Sequence, residues 1–399
     1  MKKRTLYIFI LAFVLCSNLN AQTGEDKYLH LQLRNGLETN LLLKEHPSIR
    51  FFDDSMKIAS KDLYAIAKRA DIRTITFVTD VDTCIVHREV KEGRYYRIKG
   101  LTGNYVDASQ TRSNDTLTLS LIDNSNIKGT VFYFDNSSFL SYVTGTYFGE
   151  SGKLNNIGQA GSRYTVEVSQ NFSDKFMIKG TNSTLLSDNG SQKVCTSTGE
   201  GTFNELFTIE EIAELPVSIG QEKWATLYAP IALEIAEGVT AYTATINADW
   251  VELNEITDGI IPAYTGVVLY AENTGTYQFP ITATEKSVSS DLNGSVPATY
   301  YTEYGTYYAL ACVDGEVGFY KDKFMNSRFQ NNSHKAFIYM PLTSNITHYS
   351  FRFDDGTTGI IDVNAENANT GIYDIHGRKI NNIIMPGMYI VNGEKKVVR

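Results

Sequence analysis

Cysteine is scarce in this 399-residue chain. There are four, and Cys16 falls in the first segment, which leaves Cys84, Cys195 and Cys312. Three widely spaced thiols are an odd number and make no disulfide scaffold. A Cys84–Cys195 bridge stays open; otherwise each is expected to be a small buried apolar side chain. The thiols are also too sparse for a zinc site of the Cys-x-x-Cys kind. Eight prolines and 30 glycines are too few for a collagenous or disordered chain. Positive charge is short as well: 36 Lys and Arg face 45 Asp and Glu, a net charge of -9. That excludes the basic face that nucleic acid attracts. After the first segment no apolar run approaches the ~20 residues that span a bilayer.

Catalytic signatures are missing too. No His-Glu-x-x-His, Gly-x-Ser-x-Gly, P-loop or dinucleotide glycine fingerprint occurs. His30, His46, His87, His334, His348 and His376 are scattered among strand and turn contexts. His87-Arg88-Glu89 reads as a solvated strand face. Asp53-Asp54 and Asp354-Asp355-Gly356 read as turns without the ligand spacing of a calcium loop. No metal or cofactor is expected. A glycosidase needs only two carboxylates, which can be distant in sequence. The 45 acids leave that alternative open, although nothing marks a pair, and a non-enzymatic protein is expected.

What is present is a leader and many strands. Lys2, Lys3 and Arg4 precede an apolar run from Leu6 to Cys16, and a small residue, Ala21, stands before Gln22. This is the pattern of a secretory signal peptide over 1–21. The 25 tyrosines and 20 phenylalanines, against 2 tryptophans, suit pleated sheets. Leu29, Leu31 and Leu33 alternate with polar residues up to Asn35-Gly36, and a second β-like run follows through Leu41-Leu42-Leu43. That predicts a hairpin. Residues 28–90 therefore read as a small β-rich module, with Asp62–Arg69 as its one helix candidate.

The next stretch carries an internal repeat. Arg97-Ile98-Lys99-Gly100, followed by Asn104-Tyr105-Val106-Asp107, returns as Met177-Ile178-Lys179-Gly180 followed by Thr184-Leu185-Leu186 and Asp188. Thr102-Gly103-Asn104-Tyr105-Val106 returns as Thr144-Gly145-Thr146-Tyr147-Phe148. Ile127-Lys128-Gly129 falls off the period. Three units of roughly forty residues predict a closed threefold structure over 95–212. This stretch resembles a ricin-type β-trefoil, through Tyr96-Arg97-Ile98-Lys99-Gly100 with Gly103-Asn104-Tyr105-Val106 and through Phe207-Thr208-Ile209-Glu210. The resemblance implies sugar binding by an aromatic ring beside a carboxylate or amide in each repeat. The positions it marks are Tyr105 with Asp107 and Tyr147 with Glu150. The Gln-x-Trp element of the lectin members is absent, and the alternative for both tyrosines is the hydrophobic core.

Residues 215–354 read as a further module of short strands, a sandwich or barrel opened by Trp224-Ala225-Thr226-Leu227-Tyr228. Trp224 and Trp250 are expected in its core or at an interface. After a polar linker at Glu366–Thr370 comes a β tail, 366–399. Its Tyr373-Asp374-x-x-Gly377-Arg378-x-Ile380 and Gly387-x-Tyr389-Ile390-Val391 elements and basic end resemble the C-terminal sorting domain of type IX secretion. The upstream proline-asparagine element of that family is missing. The resemblance implies passage across the outer membrane and attachment at the cell surface. In module order the chain resembles multi-module surface proteins of Gram-negative anaerobes.

The expectation is thus an all-β protein: a small N-terminal module, a β-trefoil, a β-sandwich-like module and a short C-terminal tail. It is secreted or held at the cell surface. Its partners would be a glycan or an extracellular protein, besides the sorting machinery that reads the tail. No nucleic acid and no membrane span after leader cleavage are expected. A structural or adhesive protein making protein contacts is the alternative, and an unrecognised glycoside hydrolase a further one.

Overall fold

The computed structural model describes residues 27–61, 63–79, 89–198, 203–322 and 328–353, and the backbone of strands at 372–374, 379–380, 387–391 and 394–398. The expected leader at 1–21, Cys84, His87, the expected polar linker at 366–370 and Asp354-Asp355-Gly356 lie outside these residues. The protein is all-β, and among the described residues its helical pieces are single 3-10 turns such as Leu43–Glu45 and Phe203–Glu205.

Two three-stranded sheets form the N-terminal module. Tyr28–Leu33 lies between Glu38–Leu42 and Ile72–Val78 in one, and Ser55–Ala59 lies between Ser48–Phe51 and Tyr64–Lys68 in the other. Alternation decides which side is buried: Leu29, Leu31, Leu33, Leu41, Met56 and Ile58 all point inward. The expected hairpin turns at Asn35-Gly36, where Gly36 takes φ +94°.

The helix expected over Asp62–Arg69 is instead the strand Tyr64–Lys68, paired with Ser55–Ala59. Packing outweighs the helix propensity of Ala65 and Ala67, which is worth under about 1 kcal/mol per residue. Ala65 and Ala67 alternate inward against Phe172 of the next module, and the Ile66 N–H donates to the Asn171 carbonyl at 2.7 Å.

The middle module is a β-trefoil. Arg94–Lys99 pairs with both Phe132–Asp135 and Thr208–Glu211, Phe132–Asp135 with Ser138–Ser141, and Thr165–Val168 with Phe176–Lys179. Reciprocal Phe176–Phe207 backbone bonds and a bond from Tyr164 N–H to the Ser137 carbonyl complete the ring. Three hairpins cap one end and meet at the axis. There Leu117 N–H donates to Gly152, Val194 N–H to Leu117 and Leu154 N–H to Asp115. Gly103, Gly145 and Ser183 occupy equivalent turns at φ +86°, +67° and +60°. The off-period Ile127-Lys128-Gly129 sits in the loop leading to Phe132. Phe132, Phe139, Phe148, Tyr164, Phe176 and Phe207 fill the barrel. Phe132 meets Phe148 edge-on, with centroids 5.0 Å apart.

The third module is built on a nine-stranded sheet. In order its strands are Trp224–Leu227, Val267–Ala271, Val239–Ile246, Trp250–Glu255, His348–Phe353, Glu316–Lys321, Thr306–Val313, Lys335–Met340 and Asn293–Ser295. Trp250–Glu255 and His348–Phe353 run parallel. The sheet curls until its first strand meets its eighth: Tyr228 N–H donates to the His334 carbonyl and Ala336 N–H to Thr226 Oγ1. The sandwich-like module therefore nearly closes as a barrel. Val251, Leu253, Val268, Tyr308, Phe319, Ile338 and Phe351 line its inside.

The outer face of this sheet is apolar as well. Leu227, Ala241, Val267 and Leu269 pack against the ribbon Glu214–Ile219/Gly275–Pro280 and against trefoil residues Tyr95, Val131, Tyr133, Leu140 and Tyr142. Trefoil and barrel thus share one continuous core. At the C-terminus, Ile372–Asp374 pairs with Lys379–Ile380 and with Gly387–Val391, which forms a hairpin with Glu394–Val398.

Candidate functional site

The structure gives the four sequence-derived positions different surroundings. Tyr105 lies on a trefoil hairpin strand and is half-buried. Its hydroxyl donates to the Glu210 carboxylate at 3.1 Å, and the Lys99 ammonium stands 5.3 Å from its ring centroid. Ladder register explains this trio. Lys99 is paired with both Tyr105 and Thr208, which brings Glu210 within reach from the last trefoil strand.

Asp107 is buried and its carboxylate is already engaged. It accepts from Ser109 N–H at 2.8 Å, Ser120 Oγ at 2.6 Å and Asn126 Nδ2 at 3.0 Å. These bonds fix the turn under Gly129, where a Cβ would sit 2.4 Å from Asp107 Oδ1. The carboxylate beside Tyr105 is thus Glu210, and sequence proximity pointed to Asp107 instead. Asp188 in the third repeat is likewise engaged, accepting from Thr102 N–H at 2.9 Å and Thr102 Oγ1 at 2.6 Å.

Tyr147 is half-buried and packs against the core shared with the barrel. Burial, and next the Asp135 carboxylate, raise its pKa. Glu150 is exposed on the 3-10 turn Glu150–Gly152. Trp224 sits in the barrel against Tyr270, Phe351 and Tyr242, and the Arg352 guanidinium lies 3.9 Å from the Trp250 ring centroid. Cys195 and Cys312 are free thiols, partly exposed rather than buried. They lie at partly exposed positions of the strands Cys195–Ser197 and Thr306–Val313, a placement that composition does not reveal.

A second locus had no sequence signal. Where trefoil meets barrel there is a cavity of about 360 Å³, whose lining includes Lys128, Tyr142, Thr144, Ser218, Asn332 and Lys335. His334 closes its inner wall, buried and at φ +57°. Ser333 Oγ donates to the Val296 carbonyl at 2.9 Å, so it accepts from His334 Nδ1 at 2.6 Å. Nε2 is then the acceptor for the Tyr95 hydroxyl at 2.5 Å. The neutral imidazole is fully satisfied in this chain of bonds. Burial, reinforced by the Lys335 charge, pushes its pKa down to about 3.

Burial also lowers the pKa of Lys128 and of Lys335, and the Lys128 charge lowers that of Lys335 further. Among the described residues no three His, Cys, Asp or Glu side chains gather as a metal site, and no helix is long and apolar enough to cross a membrane.

No family model matches the chain, and no curated protein matches it. A solved structure described as "BEL beta-trefoil apo crystal form 3" is similar over 31% of this chain and 96% of its own length, at 17% identity and a TM-score of 0.26. The trefoil is defined here by its own strand pairing and not by that likeness.

Proposed function

We propose that this chain is an exported, non-enzymatic binding protein whose trefoil takes an extracellular glycan at Tyr105. The observation that carries the reading is the half-buried Tyr105 ring, tied through its hydroxyl to Glu210 and flanked by Lys99. A sugar has an apolar face for stacking and hydroxyls for hydrogen bonds. Here one patch supplies a ring, a carboxylate and an ammonium. The ligand contacts are assigned to Tyr105 and Glu210, with Asp107 holding the loop in shape.

Export rests on the leader pattern over 1–21 and on the tail, whose sorting role is part of the proposal. Deleting 366–399 should leave the protein unattached in cell fractionation. Glycan-array binding of the full chain tests the ligand reading. Tyr105→Ala and Glu210→Gln should each reduce the signal at least tenfold, with the melting temperature within a few degrees of the parent. Unchanged binding by Tyr105→Ala would refute the site, and turnover of a polysaccharide would replace binding with hydrolysis.

One observation favours the adhesive alternative. Phe51 and Phe52 are 46% and 53% exposed at the end of the edge strand Ser48–Phe51, and Ile75 and Phe77 are also exposed, on the edge strand Ile72–Val78. Exposed apolar edge strands pair readily with other chains. Cell or matrix adhesion that survives Tyr105→Ala but is lost on Phe52→Ser with Phe77→Ser would support that reading.

A further inference from the structure

The cavity between trefoil and barrel differs from the Tyr105 patch in residues, position and charge. We propose that it is a binding site for an oxyanion, a carboxylate or sulfate carried on a small hydroxylated ligand.

Several observations converge. The lining holds two ammonium groups, from Lys128 on a trefoil loop and Lys335 on a barrel strand, and no carboxylate. This occurs in a protein whose acids outnumber its bases by nine. Among the described residues the Lys128 ammonium has no hydrogen-bond or ion-pair partner, and burial is what perturbs it. Lys335 donates to the Thr226 carbonyl at 3.3 Å, which uses one of its three N–H bonds. The charge that perturbs Lys335 is the Lys128 ammonium itself. Two like charges held together under partial burial repel each other and lose hydration. An anion between them relieves both costs, and charge-assisted bonds to it are the strong kind.

The remaining lining suits what the anion is attached to. Thr144 and Ser218 bring hydroxyls whose other bonds run to Thr146 at 2.9 Å and Thr276 at 2.8 Å, so each is oriented. Asn332 stands exposed at the rim, and the Tyr142 ring contributes an apolar wall. The volume lies at the lower end of the roughly 300–1,000 Å³ usual for small-molecule pockets. It therefore fits a ligand of about one sugar unit rather than a long polymer. His334 takes no part in holding the charge, because its neutral ring is consumed by Tyr95 and Ser333. Lys128 belongs to the trefoil and Lys335 to the barrel, so the site exists only in the joined modules.

Calorimetric titration of the full chain with glucuronate, glucose 6-sulfate, inorganic sulfate and glucose tests this. Binding of glucuronate or glucose 6-sulfate at least tenfold tighter than glucose, weakening as salt is raised, is the expected result. Comparing these two sugars identifies which oxyanion is preferred. Inorganic sulfate binding as tightly as the sulfated sugar would overturn the hydroxylated part of the proposal. Lys128→Gln should weaken the anionic sugar at least tenfold while Tyr105→Ala leaves it unchanged. Equal affinity for glucose and the anionic sugars, absence of binding by every anion at 50 mM, or full affinity in folded Lys128→Gln would each overturn the site. If Lys128→Gln fails to fold, the comparison of charged with neutral sugar on the parent protein still decides. Failure here leaves the Tyr105 reading standing, since Tyr105 and Glu210 are not in the cavity.

Discussion

The Tyr95 hydroxyl donates to His334 Nε2 at 2.5 Å, joining trefoil to barrel across 239 residues of sequence. Both groups are buried, and burial raises the Tyr95 pKa well above its ordinary value, so the phenol stays protonated as the donor. Tyr95→Phe keeps the ring and removes the proton, leaving Nε2 buried without a partner. The expected loss is about 1–3 kcal/mol. It should be read as a lower urea midpoint at unchanged slope, and an unaltered midpoint would contradict the bond's role.

Acid should weaken the same junction. The folded pKa of His334 is about 3 against an ordinary 6.5, so the unfolded chain takes up the proton first. The stabilisation is complete above about pH 6.5 and is lost progressively as pH falls towards 3. Urea midpoints at pH 7, 5 and 4 should therefore descend. In His334→Asn, which tolerates the left-handed backbone, the descent should be shallower.

Two glycines at equivalent trefoil turns should respond differently to alanine. Gly103 has φ +86° and open space around its missing Cβ, so Gly103→Ala meets backbone strain alone, about 1–2 kcal/mol. Gly145 has φ +67°, and its Cβ would stand 2.5 Å from Ala298 N and 2.7 Å from Ala298 Cβ in the barrel. Gly145→Ala adds overpacking, for a total of roughly 2–5 kcal/mol. Thermal unfolding of the two variants side by side gives the difference, and equal losses would show that the turn does not press on the barrel.

Much of this fold is legible in the chain. Alternating leucines set the register of Tyr28–Leu33, and the Ile-Lys-Gly and Gly-x-Tyr elements mark equivalent hairpins of the trefoil. Such signals are local, because one strand's pattern is enough to state which side is wet. Tyr64–Lys68 is not legible as a strand because the inward sides of Ala65 and Ala67 are settled by Phe172, over a hundred positions away. Glu210 beside Tyr105 and Lys335 beside Lys128 are invisible for the same reason: ladder register and module packing place them together, and neither leaves a spacing to find. Ser333-His334-Lys335 looks like any polar turn until the Tyr95 hydroxyl arrives.

Phe172 tests the other junction. It is buried among Leu31, Met56 and Ala65 of the N-terminal module, though it belongs to the trefoil. Phe172→Ala should cost about 3–5 kcal/mol. Protease should then release residues near 89 at concentrations where the trefoil and barrel remain intact. Simultaneous loss of all three modules would mean that the N-terminal sheets are not a separable layer.

The apolar surface that trefoil and barrel hold in common sets a limit on dissection. Severing the chain near 212 would wet Tyr95, Val131, Leu140 and Leu227 together, so either half made alone would tend to clump. The pair should melt in a single calorimetric transition. Neither half is a cassette that shuffling could transplant without its companion.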